Sequence, residues 1–222
     1  AVMAVLLTLF SAHPALAKYA SIIVDVDTGV VLHEVNADTR NYPASLTKMM
    51  TLYITFEALG DGRFTLDQKL RVSKRASGQA PSKLGLKVGE TITVHDSILA
   101  MITKSANDVA TVIAESLGGD ETNFASMMMR KAKEKGMSST TFRNASGLPN
   151  RRQRSTARDL SMLACSLLTD YPEYYHFFSV QSFSWNGSTY KNHNKMLKTY
   201  SMVDGIKTGY TRASGFNLAA SA

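Results

Sequence analysis

An α/β (α+β) fold is predicted, an antiparallel sheet with an all-helical lobe inserted into the middle of the chain. Three observations carry it. Residues 20–34 are two β-branched runs separated by Asp27-Thr28-Gly29. Residues 93–168 are dominated by apolar positions at helical spacing, punctuated by capping residues and glycines. From 177 onward the pattern returns to strand-like alternation around an Asn186-Gly187 turn signal. Strands, then helices, then strands is the order expected of a sheet interrupted by a helical insertion. No internal repeat is present.

Taken in order, Ala20–Val26 and Val30–Glu34 form the opening hairpin, with Gly29 supplying the positive φ of the turn. After a polar stretch, Pro43 pre-sets a helical φ. Leu46, Met49, Met50, Tyr53 and Phe56 then recur at helical spacing up to Gly60. Asp61–Glu90 is the least regular part, broken by Gly78, Pro81, Gly85 and Gly89, and reads as a loop-rich excursion with short strands at the edge of a cleft. Thr93 to Asp96 matches a capping box ahead of a helix that stops at Lys104-Ser105-Ala106-Asn107. A second helix runs from Asp108 to Leu117, and Asp120 caps a third that ends at Gly136. Phe142–Pro149 is a turn-rich connection, and Thr156 repeats the capping pattern before Leu160–Leu168. Phe177–Trp185 and Ser188–Tyr190 flank the Asn186-Gly187 turn. Val203–Gly209 and Phe216–Ala219 read as two final strands joined by Tyr210–Gly215.

The 222 residues are 44% apolar and 19% charged, which suits a folded body large enough for two lobes around a cleft. The net charge of +7 suits an anionic polymer, but no Lys/Arg block or basic-aromatic alternation argues for nucleic acid. The first ten residues are an apolar run too short to span a bilayer. With Ala15-Leu16-Ala17 before Lys18 they read as a secretory signal peptide, residues 1–17, cut after Ala17. Export is therefore expected. One cysteine, Cys165, allows no internal disulfide. The five histidines show no metal-ligand spacing, so neither metal nor cofactor is expected.

Chemistry concentrates on three short motifs. Ser45 and Lys48 are three residues apart in the first turn of the predicted helix, where i and i+3 share a face. A serine hydroxyl becomes a useful nucleophile when a neutral amine takes its proton. Ser-x-x-Lys occurs by chance about once in a chain of this length, and Ser188-x-x-Lys191 is a second copy. That copy sits in a predicted hairpin, where i and i+3 share no stable face. Ser105-Ala106-Asn107 falls at a helix-to-helix break and Lys207-Thr208-Gly209 on a strand. The trio Ser-x-x-Lys, Ser-x-Asn and Lys-Thr-Gly is the signature of serine β-lactamases and penicillin-binding proteins.

With their flanks, Pro43–Met50, Lys104–Asp108, Ala145–Leu148, Ser155–Asp159 and Val203–Thr211 resemble the low-molecular-mass penicillin-binding proteins that are D-alanyl-D-alanine carboxypeptidases. The resemblance runs from about Tyr19 to the last residue. It implies a β-lactamase/transpeptidase-like fold and a penicillin-binding D,D-peptidase domain over residues 18–222. It also implies removal of the terminal D-alanine from peptidoglycan stem peptides through an acyl-enzyme, with β-lactams as covalent inhibitors. Ser45 would be the nucleophile, Lys48 its base and Ser105 a proton relay, while Asn107 binds the substrate's peptide groups. Lys207 and Thr208 would hold the terminal carboxylate, with Gly209 keeping the strand edge clear. The N–H groups of Ser45 and Tyr210 would form the oxyanion hole. The base role of Lys48 requires a second cation, Lys207, close enough to keep it neutral.

Two other readings stay open at this point. A serine β-lactamase shares the trio, although a Glu-x-x-Leu-Asn type segment is missing from Asn150 to Asp170. A non-catalytic wall-binding scaffold would keep the fold without turnover. The chain stops inside what reads as a strand, so the domain is expected to be incomplete at its C-terminus. In the resembling family further strands, a second domain and a C-terminal amphipathic anchor for peripheral inner-membrane association usually follow.

Overall fold

In the computed structural model, which describes residues 19–222, the chain enters through the expected hairpin. Strand β1 (Ser21–Val24) pairs antiparallel with β2 (Val31–Val35). Gly29 sits at φ +70° in the turn between them. The predicted signal peptide lies outside the described residues.

Helix α1 (Lys48–Gly60) follows a 3-10 turn over Ala44–Thr47. Ser45 therefore stands one tight turn ahead of the α-helix, rather than in its first turn as the sequence pattern predicts. Pro43 fixes the entry, and Ala44 is held at φ +47°, a left-handed conformation costly for any residue with a Cβ. Helix α1 is buried on nearly all sides, with Met49, Leu52 and Phe56 fully covered. A helix apolar all round is the axis of a core rather than a surface element.

Strand β3 (Lys69–Arg71), α2 (Lys74–Ser77) and β4 (Thr91–Thr93) make up the irregular excursion, and β3 pairs with β4. The helical lobe then follows as α3 (Val94–Thr103), α4 (Asn107–Gly118), α5 (Glu121–Glu134) and α6 (Ala157–Asp170). Three N-caps read from the sequence are made. Thr93 Oγ1 accepts from Asp96 N at 3.0 Å, Asp120 Oδ1 from Asn123 N at 2.8 Å, and Thr156 Oγ1 from Asp159 N at 3.0 Å. Each satisfies one orphan donor of its helix.

Helix α7 (Pro172–Tyr175) runs into a 3-10 turn at His176–Ser179. Phe177 and Phe178 belong to that turn and not to a strand, because both rings pack on Phe56 of α1. Strands β5 (Ser182–Trp185) and β6 (Ser188–Lys191) form the Asn186-Gly187 hairpin, so the rival Ser188 and Lys191 lie on a strand. After α8 (Met196–Thr199) come β7 (Gly205–Thr211) and β8 (Gly215–Ser221). Strand β7 extends through Tyr210 and Thr211, two residues beyond the expected end, because Ser214 Oγ accepts from Thr211 N at 2.9 Å and closes a tighter turn.

Sequence order suggests one sheet, but among the described residues the strands form four separate two-stranded pairs. The first and last pairs both lie against α6 without hydrogen bonding to each other. Local alternation identifies a strand, whereas its neighbour depends on which segments the rest of the fold brings alongside.

Candidate active site

Strand β7 runs against the 3-10 turn that carries Ser45. The approach is close because residue 209 has no side chain: a Cβ there would lie 3.0 Å from Ser45 N and 3.2 Å from Leu46 N. A second glycine closes the other side. Gly147, at φ +86°, belongs to the Phe142–Pro149 connection, and a Cβ on it would fall 1.9 Å from Ala44 O. Ser45 is therefore held between two backbone segments, each brought in by a glycine.

Lys48 is fully buried and its Nζ donates to Ser146 O at 2.6 Å and to Asn107 Oδ1 at 2.7 Å. The same nitrogen lies 3.4 Å from Ser45 Oγ. Two donated bonds use both hydrogens of a neutral amine and leave its lone pair toward the serine oxygen. Burial, followed by the charge of Lys207, holds the Lys48 ammonium well below the usual lysine range, while Asp108 acts in the opposite direction. Lys207 is 1% exposed, donates to Thr208 O at 3.1 Å, and is pushed down by burial to about 7. The expectation that Lys207 lies near enough to influence Lys48 is met.

Ser105 is held at φ +59° in the break between α3 and α4, and its buried Oγ has no hydrogen-bond partner among the described residues. Strain and an idle polar atom at one position are the marks of a site kept for something other than stability. Asn107, which the sequence reading gives to substrate, is also engaged within the protein. Its Oδ1 is taken by Lys48, and one Nδ2 hydrogen is given to Ala80 O at 2.9 Å. One Nδ2 hydrogen is left.

Ser45, Ser105 and Asn107, with Thr208, Gly209 and Tyr210 of β7, line one cleft of about 780 Å³, whereas the buried Lys48 and Lys207 lie behind its lining. Arg212, on the β7–β8 turn, is exposed and does not line it. Three contributors went unread in the sequence. Ser146 offers only its carbonyl, which no side-chain motif advertises. His193 lines the cleft between two pinned neighbours: Asn192 Nδ2 donates to Val180 O at 2.9 Å and Asn194 Nδ2 to Gly205 O at 2.8 Å. Burial and then the lysines Lys207, Lys104 and Lys48 hold the His193 imidazole below its ordinary value. Asp108 is the third. The 145–147 segment is braced from behind, with Ala145 N donating to Glu121 Oε1 at 3.3 Å, Thr51 Oγ1 donating to Ala145 O at 2.7 Å, and Arg75 bonded to Glu121.

Among the described residues no group of three or more histidine, cysteine or acidic side chains is placed to hold a metal ion. No described helix is long and apolar enough to cross a membrane.

Similarity to known proteins covers the same ground. The DacD D-alanyl-D-alanine carboxypeptidase of Salmonella typhimurium (strain LT2) is 35% identical over 216 residues, 94% of this chain and 55% of that protein. The crystal structure of DacD from Francisella tularensis superposes with a TM-score of 0.90 at 28% identity, covering 97% of this chain and 65% of that one. Penicillin-binding protein D2 from Listeria monocytogenes, solved in its ampicillin-bound form, gives 0.81 at 32% identity, over 90% of this chain and 82% of that one. The chain spans about half the length of the curated relatives it matches. The family model for D-alanyl-D-alanine carboxypeptidases, peptidase S11, matches residues 9–222, so Ser45, Lys48 and their cleft sit in a chain that belongs to that family.

Proposed function

We propose that residues 18–222 are the penicillin-binding D,D-peptidase domain of a serine-type D-Ala-D-Ala carboxypeptidase acting on peptidoglycan stem peptides. The observation that carries this reading is the buried Lys48 amine, saturated by two acceptors and facing Ser45 Oγ. Ser45 Oγ attacks the carbonyl carbon of the D-Ala-D-Ala peptide bond while Lys48 Nζ takes the hydroxyl proton. The developing oxyanion is met by the N–H groups of Ser45 and Tyr210. The C–N bond then breaks, the departing D-alanine amine receives a proton by way of Ser105, and the penultimate D-alanine stays esterified to Ser45. Water hydrolyses the ester and restores the serine.

Lys207 and Thr208 hold the substrate's terminal carboxylate, a charge-assisted contact made stronger by burial of the lysine. Gly209 lets the extended peptide lie along β7, and the remaining Nδ2 hydrogen of Asn107 is free for a substrate carbonyl. β-Lactams enter the same cleft and acylate Ser45. The ampicillin-bound relative supports this. The Ala15-Leu16-Ala17 cleavage pattern supports export to the compartment where peptidoglycan lies.

Incubation with a labelled penicillin is expected to add one covalent label, mapped by peptide mass spectrometry to the segment containing Ser45. D-alanine is expected to be released from a D-Ala-D-Ala peptide. Label on any other serine, or none with the chain folded, would refute the reading. Release of D-alanine separates an enzyme from a scaffold.

A pH dependence follows. Lys207 loses its charge as pH rises through about 7, while burial and the charge of Lys207 hold Lys48 well below the usual lysine range. Carboxylate capture therefore fades on the alkaline side first. KM for a D-Ala-D-Ala peptide is expected to climb, by up to roughly tenfold per pH unit above neutrality, with kcat nearly flat. A KM that holds constant between about pH 7 and 9 would contradict the assignment of Lys207.

A further inference from the structure

Asp108 follows Asn107 at the start of α4, is fully buried, and forms no ion pair among the described residues. Its carboxylate accepts four backbone N–H groups instead. Oδ1 receives Leu84 N at 3.1 Å and Val109 N at 3.0 Å, and Oδ2 receives Gly85 N at 2.8 Å and Leu86 N at 3.2 Å. A carboxylate has acceptors on both oxygens and suits such a ring of donors, while an amide would turn N–H against N–H. The gripped segment is continuous with Ala80 and Ser82, whose carbonyls receive Asn107 Nδ2 at 2.9 Å and Asn107 N at 2.7 Å. Ser82 Oγ in turn donates to Lys104 O at 2.8 Å. Two adjacent residues thus hold residues 80–86 from opposite senses, Asn107 donating and Asp108 accepting, and Asn107 Oδ1 points at Lys48 as a result.

We propose that Asp108 is a positioning residue with two separable actions: it clamps residues 84–86 so that Asn107 is aimed at Lys48, and its negative charge opposes that of Lys207 at the Lys48 amine. This rests on the serine-peptidase reading given above. The charged groups that bear on Lys48 are Lys207 from β7 and Asp108 from α4, and the titratable His193, from the turn before α8, is itself held down in part by Lys48. The 3-10 turn and the 145–147 segment present neutral groups to it. Lys207 and burial favour loss of the Lys48 proton, and Asp108 favours its retention. Removing the Asp108 charge makes the ammonium a stronger acid, so the pH below which acylation fails moves downward.

The test is the pH–rate profile for acylation by a labelled penicillin in the wild-type chain, Asp108→Asn and Asp108→Glu. Asp108→Asn, near-isosteric but uncharged, is expected to move the acid limb down by about one pH unit and to lower the plateau roughly tenfold through a misaimed Asn107. Asp108→Glu keeps the charge and displaces the clamp, so its plateau falls and its limb stays. A role confined to stability would leave both limbs in place. An unmoved limb in folded Asp108→Asn, or an equal displacement in both variants, overturns the proposal. If neither folds, Leu84→Pro removes one donor N–H from the clamp and is expected to lower the plateau about tenfold with the limb unchanged; a plateau within about twofold of wild type overturns it. Failure of the wild-type chain to be acylated would remove the serine-peptidase reading and this inference with it, whereas an acylated wild type with an unshifted Asp108→Asn profile removes this inference alone.

Discussion

Lys48→Met is expected to slow acylation by a labelled penicillin about 10²–10⁴-fold, the range a positioned general base contributes. Methionine matches the lysine stem in length and suits a fully buried position, so the chain should still fold. What it loses is the lone pair 3.4 Å from Ser45 Oγ and the donors to Asn107 Oδ1 and Ser146 O. Two buried acceptors are then left without a partner, at about 1–3 kcal/mol each, which a denaturant midpoint will register separately from the rate. Lys48→Arg gives the complementary result. A guanidinium keeps the charge but cannot give up its proton, so acylation should stay as slow as in the methionine variant. Rescue by arginine would show that the position requires a cation rather than a base. Stopped-flow or quenched labelling distinguishes these outcomes, and acylation of Lys48→Met within tenfold of wild type would remove Lys48 as the base.

Gly147→Ala is expected to damage both folding and acylation. At φ +86° an alanine suffers the left-handed penalty of roughly 1–2 kcal/mol, and its Cβ would sit 1.9 Å from Ala44 O and 2.4 Å from Ala44 C. Neither atom is the end of a flexible side chain. The clash resolves only by parting the 145–147 segment from the turn that carries Ser45, which also draws Ser146 O away from Lys48. A loss above about 3 kcal/mol is expected, with acylation of whatever folds reduced at least 10²-fold by misplacement. Gly119→Ala is the control. It has φ +77° but nothing within 4 Å of the added carbon, so it should lose only the left-handed penalty and acylate normally. Equal midpoints for the two variants would mean that the approach to Ala44 is unimportant.

Much of this architecture was legible residue by residue. The N-caps at Thr93, Asp120 and Thr156 depend on a side chain meeting a backbone group three residues on, and both hairpin turns depend on residues that accept positive φ. Such features are settled within a few residues and leave a pattern. The candidate site was legible in its side-chain motifs, since Ser45, Ser105, Asn107, Thr208, Gly209 and Tyr210 do line one cleft, with Lys48 behind Ser45. It was illegible wherever the fold uses a backbone atom. Ser146 O, Ala80 O and the N–H groups of residues 84–86 are chemically the same at every position, so nothing in their residue types marks them.

The sequence by itself determined the spacing of Ser45 and Lys48 and the caps and turns. Only the tertiary structure decided that Lys48 is fully buried, that Asn107 gives its oxygen to Lys48, that Asp108 is spent on four backbone donors, and that the strands pair two by two. The physical reason is that proton affinity and hydrogen-bond allegiance depend on desolvation and on groups tens of residues away, which local patterning does not encode. A Ser-x-x-Lys at chance frequency becomes a candidate nucleophile and base when burial and Lys207 hold its lysine well below the usual range.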